Sequence, residues 1–358
     1  MAKYHIYVTG LNASDDPSSG LGVIRCLQQM KGEGLKIIAL TYELLDGVSY
    51  LDKIVDAVYV VPSPHDNEQA FINRLSQIVD STKVNALVPN LDFEIQYLSK
   101  IQFELRELGI KALLPSLKSL EFCARENLFR LGEEAEVLTP LNIPVYDFQQ
   151  IYSALTYYPF QYPLILKAAK GLSTFVYSWE EVKVFSNRLS AQWGWPIIIQ
   201  QFVPGEEFSV AALADRRHHL AGYVCMKKIL KSKNGSIWMG STVQDNEVLD
   251  MTQRIIKKIS WTGPLEIEFV KLSNTSQIFL IELKPRFPSW IQLAAQAECN
   301  IVKTAIMLAF NKKVDPLKDY KTGIMFARSE MEITCDIGRL AQLATRKELI
   351  YNDSQGSH

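Results

Sequence analysis

The alternation of apolar, strand-like runs with helical stretches in the first part of the chain constrains its fold most strongly. The sequence contains four such runs: YHIYVTG (4–10), LKIIALTYE (35–43), AVYVVPSP (57–64) and VNALVPNLD (84–92). Helical stretches such as NEQAFINRLSQIVDST separate the later ones. Strands that alternate with helices at this spacing indicate a doubly wound parallel sheet. We therefore predict an α/β domain here.

The loops that follow the first and fourth predicted strands are residues 10–22 and 89–94. In doubly wound sheets, ligands bind in the crevice outside the carboxyl ends of the strands. We therefore expect these two loops to line a binding crevice. The glycines do not follow the G-x-G-x-x-G spacing, which argues against a dinucleotide-dependent dehydrogenase.

The pattern changes near residue 119. A helical stretch, SLEFCARENLFRLGEEA, is followed by pairs of short apolar runs within 162–178, 196–215, 221–243 and 264–285. Such pairs, joined by short turns, are typical of antiparallel sheets. We predict an α+β unit that is closed by a helical region at 288–310. The Lys-Ser-Lys-Asn-Gly stretch within 225–243 predicts a mobile loop.

Composition excludes several classes of partner. The 358 residues carry a formal net charge of -1, so nothing indicates nucleic acid or an anionic membrane as a partner. No apolar run approaches the roughly 20 residues that a membrane helix needs, and the first residues lack the apolar stretch of a signal peptide. Five scattered cysteines without metal-ligand spacing favour reduced thiols and a cytoplasmic location.

The segment PLILKAAKGLST (163–174) has the features of a phosphate-binding turn. A strand presents Lys167, and the loop after it contains Lys170, Gly171 and Ser173. An ammonium group neutralises phosphate charge, while the N–H groups of a small-residue loop contact phosphate oxygens. The signal is weak when taken alone, because lysines on strands usually reach solvent.

The segment PIIIQQFVPGEEFSV (196–210) has the features of a nucleoside site. Its apolar strand could pack against a purine, the backbone of residues 200–203 could bind the edge of that base, and Glu207 could accept a hydrogen bond from a ribose hydroxyl. An ordinary hairpin with a solvated Glu-Glu pair is the simpler alternative.

Two further segments, LEIEFV and IFLIELKPRFPSW, bring carboxylates together. Glu266 and Glu268 lie on one face of their strand because strand side chains alternate. Glu268 and Glu282 can face each other on paired antiparallel strands, where they repel unless a cation lies between them. Hard oxygen ligands of this kind favour Mg²⁺ bridged to nucleotide phosphates.

Arg286 follows Glu282 by four residues and comes directly after a proline. Its planar guanidinium would then face a phosphate or an acyl phosphate. The alternative is a charged strand end whose side chains pair with each other at the surface.

In this order, the segments resemble those of the ATP-grasp superfamily of carboxylate–amine ligases, in the branch of the carbamoyl phosphate synthase large subunit. The resemblance implies a pre-ATP-grasp domain at 1–118, an ATP-grasp domain at 119–312 with a lid at about 145–206, and a C-terminal extension and tail at 313–358. It implies an ATP-dependent ligase that forms an amide bond through an acyl phosphate and releases ADP and phosphate. The implied cofactors are ATP and Mg²⁺, with Mn²⁺ also compatible.

The resemblance also implies roles for individual residues. The nucleotide contacts would be Lys167, Lys170, Gly171, Ser173, Gln200, Gln201, Phe202, Val203 and Glu207. The metal ligands would be Glu268 and Glu282, and the catalytic residues Lys167, Lys284 and Arg286. The pocket for a small-molecule or peptide carboxylate and an amine would contain Gly10, Asn12, Ser19, Asn90, Asp92, Arg286 and Trp290. A monomer and a homodimer both stay open.

Three positions depart from the family pattern. Lys284 stands where the E-x-N-P-R motif has a metal-binding asparagine, Gln200 where the adenine strand has an acid, and Asn127 where a phosphate-binding Lys or Arg is common. Arg125 or Arg130 could substitute for the last, although neither is in register.

Lys284 decides between two interpretations. Its ammonium group could bind phosphates and replace the charge of one metal ion, and the protein would then still be an enzyme. It could instead pair with Glu266 or Glu282 and weaken metal binding. The second case favours the alternative function, a catalytically weak nucleotide-sensing or partner-binding module.

Overall fold

The computed structural model describes residues 4–12, 17–30, 34–232, 235–329 and 332–351. Its first sheet contains four parallel strands, β1 (Tyr4–Val8), β2 (Leu35–Thr41), β3 (Ala57–Val60) and β4 (Ala86–Val88). These strands are the four apolar runs, so the predicted parallel sheet is present. Their spatial order is β3–β2–β1–β4, so the strand order reverses beside β1.

Helices pack on both faces of this sheet: α1 (Gly20–Gln28), α2 (Glu68–Thr82), α3 (Asp92–Lys100) and α4 (Gln102–Glu107). The side chains of β1 alternate between the two faces of the sheet, and both faces carry apolar residues that the helices cover. Ile6 and Val8 belong to the core cluster that contains Leu27 of α1, whereas Tyr7 belongs to the cluster that contains Phe71 of α2. A strand that is covered on both faces has no polar side, which is why β1 reads as an almost continuous apolar run.

The second sheet has six strands and is antiparallel throughout. Its strands are β9 (Glu206–Ala214), β10 (Leu220–Lys231), β11 (Ile237–Val243), β12 (Gly263–Lys271), β13 (Ile278–Lys284) and β14 (Met325–Ala327). Their spatial order is β13–β12–β9–β10–β11–β14. The predicted pairs β10–β11 and β12–β13 are therefore confirmed.

Helices cover both faces of the six-stranded sheet as well. Residues of α6 (Leu128–Ala135) and α9 (Asn246–Lys258) share a core cluster with one face. Residues of α10 (Gln292–Gln296) and α11 (Ile301–Ala309) share a cluster with the other face and with α1. The first and second sheets are therefore joined by a common apolar core. The short helix α5 (Leu117–Glu121) links them in the chain.

The third sheet has four strands, in the order β5 (Asn142–Val145), β8 (Ile197–Gln201), β6 (Leu164–Ala168) and β7 (Ser173–Val176). Helices α7 (Phe148–Tyr157) and α8 (Trp179–Trp193) accompany it. Segment 196–215 is therefore not a hairpin, because β8 and β9 belong to different sheets. The chain crosses between them at Gly205, where a Cβ atom would lie 2.3 Å from the carbonyl oxygen of Lys271.

The C-terminal residues complete two sheets, which the sequence did not predict. After β14, helix α12 (Ile337–Arg346) leads to β15 (Glu348–Ile350), which pairs with β3 in antiparallel orientation. Leu349 is buried in the core of the first sheet. Arg339 and Asp52 form an ion pair of 2.8 Å. The segment predicted as an extension is thus part of the fold up to residue 351.

No helix in the described ranges is both long and apolar enough to cross a membrane. The predicted mobile loop corresponds to the turn between β10 and β11, and its residues 233–234 lie outside the described residues. Residues 13–16 of the predicted crevice loop also lie outside them.

Candidate functional site

Carboxylates gather where β12 and β13 pair. Glu268 lies directly opposite Glu282 in the antiparallel register, as the sequence predicted. Glu266 lies on the same face of β12 and, like Glu268, is buried. These three carboxylates, two on β12 and one on β13, repel each other, so this arrangement requires positive charge close by.

Two lysines neutralise Glu268. Its Oε2 lies 2.7 Å from Nζ of Lys228 on β10, and its Oε1 lies 2.6 Å from Nζ of Lys284 at the end of β13. Lys284 also lies 3.9 Å from a carboxylate oxygen of Glu266. Burial raises the pKa of Glu268, but the two ammonium groups outweigh burial and hold this pKa well below its usual range. The nearest partner of Lys284 is thus Glu268, rather than the predicted Glu266 or Glu282.

Arg125 is the principal partner of Glu282. Its Nε and Nη2 atoms donate to Oε1 of Glu282 at 2.9 and 2.7 Å, and the other carboxylate oxygen lies 3.9 Å from Nζ of Lys167. Burial raises the pKa of Glu282, but Arg125 and Lys167 are among the cations that lower it to about 2. Arg125 also donates to the carbonyl oxygens of Ala168 and Gly171 at 2.8 and 3.0 Å. One guanidinium therefore joins the carboxylate pair to the four-stranded sheet.

Lys167 is almost fully buried on β6, with 5% of its surface exposed. Its Nζ donates to the carbonyl oxygen of Ile281 at 3.3 Å. Burial lowers the pKa of Lys167 to about 8, so the ammonium is mostly charged at pH 7 and loses its proton slightly above that. Gln200 binds the same carbonyl at 3.4 Å and Oδ1 of Asn142 at 3.1 Å. The predicted phosphate lysine and Gln200 thus meet at one point of β13.

A small cavity of about 10 Å³, the space that one water molecule needs, lies beside these groups. Its polar lining consists of Arg125, Asn142, Lys167, Gln200 and Glu282, and its apolar lining includes Phe122, Leu128 and Leu283. Ligand sites commonly combine apolar walls with a few converging polar groups. The cations in this lining suit a ligand that carries negative charge.

Lys170 and Gly171 lie in the turn between β6 and β7, and Ser173 is the first residue of β7; all three are exposed. Gly171 has a positive φ of 95°, and a Cβ atom there would lie 2.8 Å from the ring of Trp193. The structure places this turn next to Arg125, which binds the Gly171 carbonyl. Its contact with phosphate stays a prediction.

The predicted nucleoside segment includes β8 and continues to the start of β9. The side chain of Gln201 accepts from the backbone N–H of Gln161 at 2.8 Å, and the ring of Phe202 packs against Phe175 with centroids 5.5 Å apart. Val203 is half-buried on the crossing to β9. This segment is held between the two sheets rather than solvated.

Glu207 lies at the start of β9 and joins the ionic cluster. It pairs with Lys228 at 3.3 Å and also with Lys231. The simpler alternative of a solvated Glu-Glu pair is therefore wrong for this residue. Since Lys228 also binds Glu268, one ammonium group connects Glu207 with this metal-ligand candidate.

Arg286 connects the carboxylate cluster with the first sheet. Its Nε lies 2.8 Å from Oδ1 of Asp92, and its Nη1 lies 3.4 Å from a carboxylate oxygen of Glu266. Asp92 is the first residue of α3 and follows β4, so it belongs to the predicted crevice. The structure therefore brings the crevice and the paired carboxylates together at Arg286.

The remaining crevice candidates have internal partners. Ser19 and Asn90 are fully buried and bind each other at 2.8 Å, and Asn90 also donates to two backbone carbonyls. Gly10 accepts from the N–H of Gly20, and Oδ1 of Asn12 accepts from the N–H of Ser18. The side chains of Ser19 and Asn90 thus hydrogen-bond within the protein and fix the shape of the crevice, and their contact with a substrate stays a prediction.

Trp290, which the sequence predicts as a substrate contact, is buried in the apolar core. Only 2% of its surface is exposed, and its indole N–H donates to Oγ of Ser209 at 3.1 Å. Ser209 in turn donates to Glu266 at 2.8 Å. The tryptophan therefore supports the carboxylate face from within the core.

Sequence reasoning missed Lys228 and gave Arg125 only as an out-of-register replacement. The signal for Lys228 was a pair of lysines within an otherwise apolar strand. For Arg125, the short helical turn Arg125–Asn127 before α6 shifts the position that faces Glu282. A pattern read as one continuous helix hides that shift.

Carboxylate oxygens are the ligands that Mg²⁺ prefers, so the facing pair has the right chemistry for this ion. Among the described residues, however, no three His, Cys, Asp or Glu side chains form a group that could hold a metal by themselves. Glu268 and Glu282 would therefore share an ion with oxygens of a bound phosphate, which is a common arrangement for Mg²⁺. The ammonium group of Lys284 lies beside that position.

The sequence is similar to known proteins over its central part. Residues 132–289 match the family described as the ATP-grasp domain. The carbamoyl phosphate synthase large chain of Thermoanaerobacter pseudethanolicus is 25% identical over 153 residues, which is 40% of this chain and 14% of that protein. The chain thus spans only about a seventh of that relative's length.

Solved structures share the fold at low identity. A complex of biotin carboxylase with β,γ-ATP from Campylobacter jejuni has a TM-score of 0.67 at 15% identity, covering 90% of this chain and 74% of the other. An L-amino acid ligase from Bacillus licheniformis has a TM-score of 0.58 at 15% identity, covering 80% and 68%. The central part of the chain, residues 132–289, is therefore similar to the ATP-grasp domain, and most of the chain shares its fold with these two solved structures.

Proposed function

We propose that this protein is an ATP-dependent carboxylate–amine ligase, which forms an amide bond through an acyl phosphate and releases ADP and phosphate. One observation carries the proposal. Glu268 and Glu282 face each other between two sheets, and Arg125, Lys167, Lys228 and Lys284 surround them. Dense opposite charges of this kind suit a metal-bound polyphosphate.

The nucleotide would lie between the four-stranded and six-stranded sheets. The segment from Gln200 to Val203 offers backbone groups for the base, and the buried Lys167 would meet a phosphate oxygen. The match to a biotin carboxylase complex with β,γ-ATP supports a nucleotide in this fold. Arg125 would supply the cation that the family pattern places near residue 127.

Glu268 and Glu282 would hold Mg²⁺, or Mn²⁺, which would neutralise charge on the phosphate oxygens when bound. For that, the Lys284 ammonium must leave Glu268, to which it lies at 2.6 Å. Phosphate oxygens are its natural alternative partners, because they lie at the same place and carry negative charge. Lys284 would thus replace part of the metal's charge.

In the first half-reaction, an oxygen of the substrate carboxylate attacks the γ-phosphorus and the bond to ADP breaks. Arg286 is placed to bind the substrate carboxylate, since it already binds the carboxylate of Asp92 at 2.8 Å. The substrate would displace Asp92 from that guanidinium. Catalysis would come mainly from positioning and charge neutralisation by Lys167 and Arg286.

In the second half-reaction, an amine nitrogen attacks the acyl carbon, phosphate leaves and the nitrogen loses a proton. No side-chain nucleophile is needed. The amine and the carboxylate would be small molecules or peptides, and the likeness to an L-amino acid ligase supports substrates of that size.

A second candidate function rests on the lysines at Glu268. Both of its carboxylate oxygens are paired with ammonium groups, and one of these replaces the metal-binding asparagine of the family. A site whose carboxylate is paired with two ammonium groups could bind a nucleotide without catalysing its reaction. The protein would then be a nucleotide-sensing or partner-binding module.

Measuring ADP release separates the two functions. The protein is supplied with Mg-ATP and a pool of amino acids, and ADP is followed by a coupled assay, with ATP alone as the background. If the protein is a ligase, ADP release should depend on the presence of the amino acids. Tight ATP binding by calorimetry without ADP release from any pool would favour the binding module, and an absence of ATP binding would overturn both.

A further inference from the structure

A second cavity, separate from the carboxylate cluster, is lined by three cationic side chains. It has a volume of about 240 Å³ and opens to solvent. It lies where α4, the segment after it, the turn between β9 and β10, and the end of α11 meet. Arg106, Lys111 and Arg216 supply its charge, and its lining contains no acidic side chain. It shares no lining residue with the cavity beside Lys167.

Uncharged groups hold these three cations in place. Nε of Arg106 donates to a carbonyl of its own helix at 3.0 Å, and Nη2 of Arg216 donates to the Ala112 carbonyl at 3.3 Å. Nζ of Lys111 lies over the ring of Phe310, 5.0 Å from its centre. Across the described ranges, none of the three has a carboxylate within ion-pair distance. Each guanidinium therefore has further N–H groups to offer.

The neighbouring acid does not compensate for this charge. Oδ1 of Asp215 accepts from the backbone N–H groups of Arg217 and His219 at 2.8 and 2.9 Å. Burial and the nearby charge of Arg106 both lower the pKa of Arg216. Arg106 and Arg216 thus repel each other here, whereas every cation of the carboxylate cluster has a carboxylate partner. Cations that converge without counter-charge indicate an anion as the missing partner.

We propose that this cavity is a second anion-binding site, which takes a compact phosphoryl anion independently of the nucleotide site. Three positive charges around one cavity match a ligand that carries two or more negative charges on a small group, which a single carboxylate does not. The guanidinium groups of Arg106 and Arg216 present paired donors that suit phosphoryl oxygens. The ligand would connect the first sheet, through the segment after α4, with the six-stranded sheet, through the β9–β10 turn.

The test is calorimetric titration of the full chain with sodium pyrophosphate at constant ionic strength. We compare the wild type with the double variant Arg106→Gln/Arg216→Gln and with Arg188→Gln, a control on the exposed face of α8. Loss of two charge-assisted hydrogen-bonding groups should weaken binding at this site by about tenfold or more. ADP binding should stay unchanged in both variants.

Lys167→Ala separates the two cavities, because pyrophosphate bound beside Lys167 would be lost in that variant and kept in the double variant. Lys111→Gln provides an independent test should the double variant not fold. The proposal is overturned if wild type binds no pyrophosphate, if the double variant binds it with unchanged affinity and stoichiometry, or if the control loses as much affinity. Displacement of pyrophosphate by citrate at equal affinity would overturn the phosphoryl preference.

Discussion

Two buried glutamates, Glu94 in the crevice of the first sheet and Glu282 on β13, have opposite electrostatic environments. Glu94 accepts hydrogen bonds from Thr9, from the Tyr42 hydroxyl at 2.5 Å, and from the backbone N–H groups of Asn90 and Leu91 at 2.7 and 3.0 Å. No cation lies among these partners, and burial raises its pKa. Glu282 has Arg125 and Lys167 beside it, and its pKa is lowered to about 2.

The opposite pKa shifts distinguish a carboxyl group that neutral hydrogen bonds hold in place from one that neighbouring cations keep ionised. Neutral donors hold Glu94 in one orientation and thereby fix the ends of β1 and β4. Cations keep Glu282 ionised, as its proposed role as a metal ligand requires, and in that proposal the same cations would bind phosphate. Perturbed pKa values in opposite directions thus mark different roles.

The largest expected effect is that of Glu282→Gln. Removing this charge leaves Arg125 and Lys167 without their carboxylate and removes one proposed metal ligand. Mg²⁺-dependent ADP release should fall by about 100-fold or more, and the free energy of unfolding should fall by about 3 kcal/mol or more because a covered ion pair is broken. Steady-state ADP release and urea unfolding measure the two effects.

Glu133→Gln is the matched control for that prediction, because Glu133 is exposed on α6. It should change neither quantity. Undiminished ADP release by Glu282→Gln would refute the metal assignment of this residue.

The next largest effect is expected for Lys167→Ala. Losing a charge-assisted contact with phosphate should weaken nucleotide binding by about tenfold to a hundredfold. Because the pKa of Lys167 is lowered to about 8, wild-type affinity should fall as the pH rises through that value and the ammonium loses its proton. Calorimetric titration with ADP at pH 7 and pH 9 measures both.

Lys167→Ala should also remove the pH dependence, since the pKa values of the neighbouring cations Arg125, Lys228 and Lys284 are raised. Lys167→Arg keeps the charge above pH 9 and should flatten the pH profile without a comparable loss of affinity. Equal ADP affinity of the wild type and the alanine variant would remove Lys167 from the site.

The sequence was sufficient for the features that depend on short-range periodicity. The opposition of Glu268 and Glu282 follows from period-two alternation on two strands joined by a short turn. The parallel strands of the first sheet follow from apolar runs at regular spacing. Both signals are local, so tertiary context does not alter them.

Features that depend on packing between distant segments could not be predicted. Lys228 and Arg125 reach the carboxylates from β10 and from the turn before α6, and no sequence spacing connects them with Glu268 or Glu282. Trp290 stands in a Pro-rich stretch that reads as exposed, yet the core of two sheets covers it. The place of β15 beside β3 likewise depends on a contact between opposite ends of the chain.

A smaller, several-fold effect is expected for Lys284→Asn. Asparagine would free one oxygen of Glu268 and add an oxygen ligand, so Mg²⁺ binding should become several-fold tighter. Activity should be comparable and should need more metal for its maximum, because the ammonium no longer supplies part of the charge. ADP release measured across a Mg²⁺ titration tests this expectation.

Lys231→Asn is the control, since Lys231 pairs with Glu207 and has no contact with Glu268. It should leave the metal dependence unchanged. A wild type that binds ATP without turnover, together with a Lys284→Asn variant that turns over, would contradict the ligase and support the binding module.

The smallest effect is expected for Glu94→Gln, which tests the other half of the comparison. Three donors contact Oε1 of Glu94, which the amide oxygen can replace, and the Tyr42 hydroxyl at Oε2 can turn to accept from the amide N–H. The free energy of unfolding should therefore change by no more than about 1 kcal/mol.

The folded pKa of Glu94 is raised, so the wild type loses stability as the pH rises from about 4.3, the ordinary glutamate value, through the folded value. Glutamine does not titrate, and its stability relative to the wild type should increase from pH 5 to pH 8. Urea unfolding at both pH values, with Glu104→Gln as the exposed control, measures this change, and a stability difference that is independent of pH would show that Glu94 is ionised in the folded protein like Glu282.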